Sequence, residues 1–181
     1  MRILIRTSDH IARIEEGLLR VLIAGTLGLM ILNVISRALR QPIYWVDELA
    51  INGMVIGAFV GSSLMFSTRQ HFSVTLLKDA VSPRLQVILS LLVQCCNLAL
   101  AGFMAYAVWL WFDPVALVQS GFNLDAFFKT TFNSVYQEIT NTIGIRRLWF
   151  FLIMPVITAT IFIHSLAGIV KDATALSLRE Y

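Results

Sequence analysis

Charge is what this sequence has least of: 14% of its 181 residues are charged, against 57% apolar. The mean hydropathy of +0.76 is too high for a water-soluble domain of this size, so a soluble fold is excluded. Alternation of apolar and polar residues in pieces of about ten is also missing, which excludes a transmembrane β-barrel. The start of the chain lacks the uninterrupted apolar core of a signal peptide, because Asp9, Glu15 and Glu16 break it up, and the first helix is expected to be retained. Cysteine is confined to the neighbours Cys95 and Cys96. On a helix they point about 100° apart, so they neither pair usefully nor form a metal site alone, and they read as small buried hydrophobes. Paired histidines at membrane depth are absent, since only His164 lies well inside an apolar run while His10 and His71 lie at edges. A haem held between facing histidines is therefore disfavoured. No nucleophile and base recur at catalytic helical spacing, and Cys95, Cys96 and His164 have no evident orienting acid, so an enzyme is not expected. Neither a cofactor nor a nucleic-acid partner is expected.

What the chain has in abundance is length of apolar run. Residues 18–36, 49–68, 85–112 and 148–170 each approach or exceed the roughly 20 residues that cross a bilayer. The expected fold is an all-α integral membrane protein, a single membrane domain over residues 1–181 with four transmembrane helices. The 28 residues of the third run would reach about 42 Å, more than a ~30 Å hydrocarbon core, so tilt or projection is expected. Four spans place both termini on one side. That side collects nine basic residues (Arg2, Arg6, Arg13, Arg20, Arg69, Lys78, Arg84, Lys171, Arg179) against five on the other (Arg37, Arg40, Lys129, Arg146, Arg147). By the positive-inside rule both termini are cytoplasmic.

Two amphipathic segments accompany the spans. Arg6, Arg13 and Arg20 recur every seven residues with Ile3, Ile11, Ile14 and Leu18 between them, as in a helix lying on an anionic membrane surface; an extension of the first span accounts for the pattern equally well. In the outer loop 113–147, Leu124, Phe128, Phe132, Val135, Ile139 and Ile143 alternate with Lys129, Asn133, Gln137 and Asn141 before Gly144. This spacing predicts one amphipathic helix, lying on the membrane or covering a partner.

Polar groups within the spans are few. Asn33, Asn52, Gln94 and Asn97 suit interhelical hydrogen bonds, and Gly53, Gly57 and Gly61 form a stripe against which a second backbone could pack, from this bundle or another subunit. Asp47 and Glu48 stand where the second span begins, at the positive end of the helix dipole, beside the interfacial aromatics Tyr44 and Trp45. Either they simply suit the start of a helix, or Arg37 meets Glu48 across the short connection and leaves Asp47 to a partner.

Three stretches, NVISRALRQPIYWVDELA, STRQHFSVTLL and IGIRRLWFFLIMPV, in that order on four spans, resemble the small permease (DctQ-type, Q) subunit of tripartite ATP-independent periplasmic (TRAP) transporters. Asn33, Arg37, Trp45, Glu48, Arg69, His71, Ile145, Trp149 and Pro155 carry the likeness, which covers roughly residues 11–169 apart from 113 to about 139. The resemblance implies a scaffold in the bacterial inner membrane. A large elevator-type permease subunit would carry an organic acid with sodium, and a soluble periplasmic substrate-binding protein would deliver it. Arg37, Trp45, Asp47, Glu48, Gly53, Gly57 and Gly61 are the candidates for the partner interface. Arg69 and His71 are candidates for lipid or partner contact on the cytoplasmic side, and Phe128, Phe132 and Tyr136 for contact with the periplasmic partner. The rival reading is a stand-alone four-helix exporter, which would need an essential carboxylate near the midplane, whereas Glu48 lies at a boundary.

Overall fold

The computed structural model describes residues 2–68 and 83–177. Its helices are α1 (Arg2–Ala38), α2 (Tyr44–Thr68), α3 (Pro83–Phe112), α4 (Pro114–Gln119), α5 (Leu124–Thr131), α6 (Leu148–Phe151) and α7 (Ile153–Ser177). Among the described residues, four segments are long and apolar enough to cross a membrane: Ile3–Ala38, Tyr44–Thr68, Ile88–Gln119 and Leu148–Thr174. Their outward faces are rich in Leu, Ile, Val, Phe and Met, the arrangement that a hydrocarbon solvent selects.

The first amphipathic segment is not a separate element. Residues 2–17 continue into α1 without a break, so of the two readings the extension of the first span holds. Ser8 and Glu15 are buried, whereas Ile3, Ile14 and Leu18 are exposed, as are the charged Arg6, Asp9, Arg13 and Glu16.

Helix ends follow local chemistry. Arg40 adopts a left-handed φ of 57°, with its N–H bonded to Arg37 O at 3.0 Å and the Gln41 N–H bonded to Ser36 O at 2.9 Å. This is the Schellman closure, and Pro42 prevents the helix from resuming. Asp113 (φ 39°) ends α3 and caps α4, accepting the Ala116 N–H at 3.1 Å, with Pro114 in the first turn. The last apolar run, expected as one helix, is interrupted at Leu152 between α6 and α7. Pro155 explains this, because it offers no N–H to the carbonyl four residues back, Phe151, and its ring crowds that carbonyl.

The chain forms two compact units. The first comprises Met1–Leu18, Val60–Ala105 and Val156–Tyr181, so it draws on α1, α2, α3 and α7. Its interior mixes Val60, Ala101, Ile157, Ile161 and Ala167 with the polar Ser63, Ser90, Gln94, His164 and Asp172. Helices approach closely at Gly168, where an added Cβ would stand 2.6 Å from the Gln94 side chain. Cys95 and Cys96, expected to be buried, are both exposed; Gln94 and Asn97 take the inward face.

The second unit comprises Leu19–Phe59 and Tyr106–Pro155. Here the single amphipathic helix expected after Asn123 is corrected. Helix α5 ends at Thr131, with Phe132 left-handed at φ 53° and its N–H bonded to Phe128 O at 2.8 Å. The Asn123 side chain caps its start by accepting the Asp125 and Ala126 N–H groups. The rest of the loop folds back. Asn133 Nδ2 donates to Trp111 O and the Tyr136 hydroxyl to Phe112 O, each at 2.6 Å, so the loop satisfies carbonyls that the end of α3 leaves unpaired. Phe127 is buried against Tyr136, with ring centroids 5.2 Å apart. Beyond it, an antiparallel bridge joins Ile139 to Arg146 and closes a small hairpin turned by Gly144 at φ 77°.

Candidate functional site

Within the second unit the two acids of the opening turn of α2 have separate tasks. Asp47 accepts from Asn33 Nδ2 through Oδ1 and from an Arg37 guanidinium nitrogen through Oδ2. Arg37 Nε also donates to Asn33 Oδ1 at 3.0 Å. Asn33 and Arg37 are one helical turn apart, so both reach the same carboxylate across the short connection. The expected Arg37–Glu48 pairing is therefore corrected. Arg37 takes Asp47 instead, since Asp47 lies on the α1 side of the helix start.

Glu48 turns to the hairpin. Its carboxylate accepts the Asn141 N–H at 2.8 Å, the Thr142 N–H at 2.7 Å and the Thr142 hydroxyl at 2.6 Å. A charged acceptor with three donors fixes a loop tip more firmly than neutral bonds do. The hairpin is braced further by Arg147, which donates to Glu138 Oε1 at 2.8 Å. Together these groups border a cleft of about 490 Å³ whose apolar walls include Ile51 and Phe151.

The remaining sequence candidates lie as follows. Gly53 faces α1, where an added Cβ would come within 2.8 Å of Thr26 Oγ1; Gly57 has only Leu22 Cβ, at 4.0 Å. Both border a shallow apolar groove of about 400 Å³ with Leu19, Leu22, Ile23 and Met54. Gly61 is half-buried. Trp45 is exposed, as are Phe128 and Phe132, whose rings meet at 6.5 Å between centroids. Tyr136 is half-buried, with its hydroxyl already committed to Phe112 O. Burial, followed by the charge of Asp113, pushes its phenol pKa up. Arg69 and His71 lie outside the described residues.

In the first unit the structure assembles a cluster that the sequence reading missed. His164 Nδ1 shares a hydrogen bond with Ser8 Oγ at 2.7 Å, and its Nε2 meets Glu15 Oε2 at 3.2 Å. Glu15 Oε1 accepts the Ser63 hydroxyl at 2.6 Å, and Ser63 Oγ contacts Thr160 Oγ1 at 2.7 Å. The expectation that His164 lacks an orienting acid is thus corrected, because folding brings one from the far end of the chain. A weak signal was present: Ser8 and Glu15 lie seven residues apart and Thr160 and His164 four apart, each pair on one helix face. The order hydroxyl, imidazole, carboxylate matches that of a nucleophilic triad. Yet Ser8 and His164 are buried, so the hydroxyl faces other helices and not a substrate. Nearby, Lys171 Nζ donates to Asp9 at 3.0 Å and Ser90 Oγ to Asp172 at 2.8 Å. No group of three or more His, Cys, Asp or Glu residues is placed to hold a metal ion among the described residues.

These features define a multi-pass, all-α membrane protein whose interior polar groups join helix to helix. Residues 26–175 match the family described as tripartite ATP-independent periplasmic transporters, DctQ component. The chain belongs to that family, the small membrane component of TRAP transporters. No curated protein and no solved structure matches it.

Proposed function

We propose that this chain is the scaffold of a TRAP transporter in the bacterial inner membrane, with both termini cytoplasmic. In this reading it holds the static part of a large elevator-type permease subunit while that subunit moves an organic acid with sodium. A soluble periplasmic binding protein supplies the substrate to the face carrying the 113–147 loop. The observation that carries the reading is the state of α1. None of the most apolar window of its span is buried by the chain itself, and in the groove beside it a Cβ added at Gly57 would meet only Leu22 Cβ, at 4.0 Å. A helix so lightly packed by its own chain leaves its surface to lipid and to a partner helix, and small residues permit a close approach.

A stand-alone exporter would use an intramembrane carboxylate, and Glu15 is a buried one. Its oxygens are already taken by His164 and Ser63, which supports a holding role and not transport. The test is co-purification of the chain with the large permease subunit of the same transporter, before and after Gly57→Leu. The Cβ of a leucine there would meet the Leu22 side chain at an ordinary contact distance and no backbone, so the isolated chain should keep its helical content and lose its companion. Full retention of the companion by the variant would count against the groove as the docking face. Solute transport by the chain alone in liposomes would overturn the scaffold reading.

A further inference from the structure

The charges of the second unit are unevenly used. Every carboxylate in it is engaged by the chain: Asp47 by Arg37 and Asn33, Glu48 by residues 141 and 142, Asp113 by the Ala116 N–H, Asp125 by Gln137, and Glu138 by Arg147. Three cations are not. Arg40, Lys129 and Arg146 are exposed and have no side-chain partner among the described residues. Arg146 also lines a cleft of about 320 Å³ with Leu124, Asp125, Gln137 and Ile139. Gln137 Nε2 occupies Asp125 Oδ1 at 2.8 Å, so the group in the cleft left with all its donors free is the Arg146 guanidinium. Lys129 lies one helical turn beyond Asp125 on the same face of α5, and Phe128 one turn beyond Leu124. Phe128, one turn from the lining residue Leu124, meets the ring of Phe132, and Phe132 is 82% exposed although its backbone is held left-handed, an uncommon and costly conformation for a bulky residue.

We propose that this cleft receives an acidic side chain of a soluble partner protein, with Arg146 as its anchor, Lys129 as a second cation and the Phe128–Phe132 pair as an apolar contact. A guanidinium with free donors suits a carboxylate in bidentate geometry. Arginine and aromatic residues are also the side chains that concentrate binding energy at protein interfaces. The expected acids Asp47 and Glu48 are spent inside the unit, so the recognising charge is positive. The proposal rests on the reading that this loop faces the compartment of the binding protein.

The test uses the chain co-purified with its large permease subunit in nanodiscs, and the soluble binding protein of the same transporter as probe. Arg146→Glu should raise the Kd about tenfold or more and flatten its salt dependence, with Arg146→Lys milder. Lys129→Glu should act in the same direction, and Phe132→Ser should weaken binding without changing the salt dependence. Kd values within about twofold of the parent for both charge reversals would overturn the proposal. A Phe132→Cys chain carrying Cys95→Ser and Cys96→Ser separates the two layers of argument. Labelling by a membrane-impermeant maleimide in intact cells with the outer membrane permeabilised places the loop outside, so an unchanged Kd then defeats only the docking site. Absence of labelling defeats the orientation and the docking site together. If Arg146→Glu alters only retention on phosphatidylglycerol vesicles, the cleft faces lipid headgroups and the proposal fails.

Discussion

Replacing Glu15 with alanine removes the carboxylate that joins α1 to α2 and α7 in the first unit, and two estimates of the cost compete. Hydrogen bonds between transmembrane helices average about 0.6 kcal/mol, so losing the bonds to His164 and Ser63 as ordinary ones would cost roughly 1.2 kcal/mol. Removing one partner of a buried hydrogen bond costs about 1–3 kcal/mol, because the other member stays sealed without a partner. The side chains of His164 and Glu15 are 0% and 6% exposed. Water cannot replace the missing oxygens without opening the helices, so the larger figure should apply. The prediction is a loss of about 3 kcal/mol for Glu15→Ala and about 1 kcal/mol for Glu15→Gln, which keeps an acceptor. Equilibrium unfolding in mixed micelles with rising sodium dodecyl sulfate, followed by far-ultraviolet circular dichroism, measures both. His164→Ala and the double variant complete a cycle whose coupling energy isolates the pair. A loss below about 1 kcal/mol for Glu15→Ala, with coupling indistinguishable from zero, would refute the argument that this cluster holds α1 in place.

Two further outcomes are expected. Glu48→Ala should release the hairpin tip: the Asn141 and Thr142 amides, each bonded to that carboxylate, should exchange hydrogen about tenfold faster or more, while amides in the middle of α2 keep their protection. Unchanged exchange at residues 141 and 142 would mean that the tip is held by something else. The Tyr136 phenol, raised by burial and then by Asp113, should ionise above the ordinary value near 10. Because the folded-state value is raised, its contribution to stability is complete below the unfolded value and disappears as pH climbs through the folded one. Absorbance near 295 nm should show a late-titrating tyrosine that Tyr136→Phe removes, and an unchanged titration curve would show that Asp113 and burial do not act on this phenol.

The spans were legible because a bilayer demands long apolar runs, and runs are visible without knowing what they touch. The start of α2 at Tyr44 and the end of α3 at Phe112 fall close to the expected limits for that reason. Other features were decided by different causes. For residues 2–17 the spacing suited a surface helix and an extension of the first span alike, and the unbroken helix decides for the extension. In a hydrocarbon solvent the apolar side of a helix is the solvent side, which exposes Cys95 and buries Gln94. In the loop, periodicity continued through Phe132, but helix propagation stopped there, because Asn133 and Tyr136 are recruited to the end of α3 by contacts that spacing alone does not encode. The exchange of roles between Asp47 and Glu48 had no sequence signal at all. Both acids are one residue apart, and only the position of the 141–142 turn, far along the chain, decides between them.

Whether a polar group in such a protein holds or binds is therefore better judged from its unfilled hydrogen-bonding capacity than from its presence in a span. Glu15 and His164 are intramembrane ionisable groups of the kind that mark transport pathways, yet each is engaged on both sides by other helices. Moving either would break these interhelical bonds. The buried exceptions among the described residues are Gln94 Oε1 and Ser165 Oγ, both uncharged, and neither can exchange a proton or an ion pair during a transport cycle. Arg146 stands at the opposite extreme, exposed at the rim of a cleft with all its side-chain donors free among the described residues. Among the described residues, unfilled hydrogen-bonding capacity of a charged group thus lies at Arg146 on the loop surface and not in the Glu15–His164 cluster.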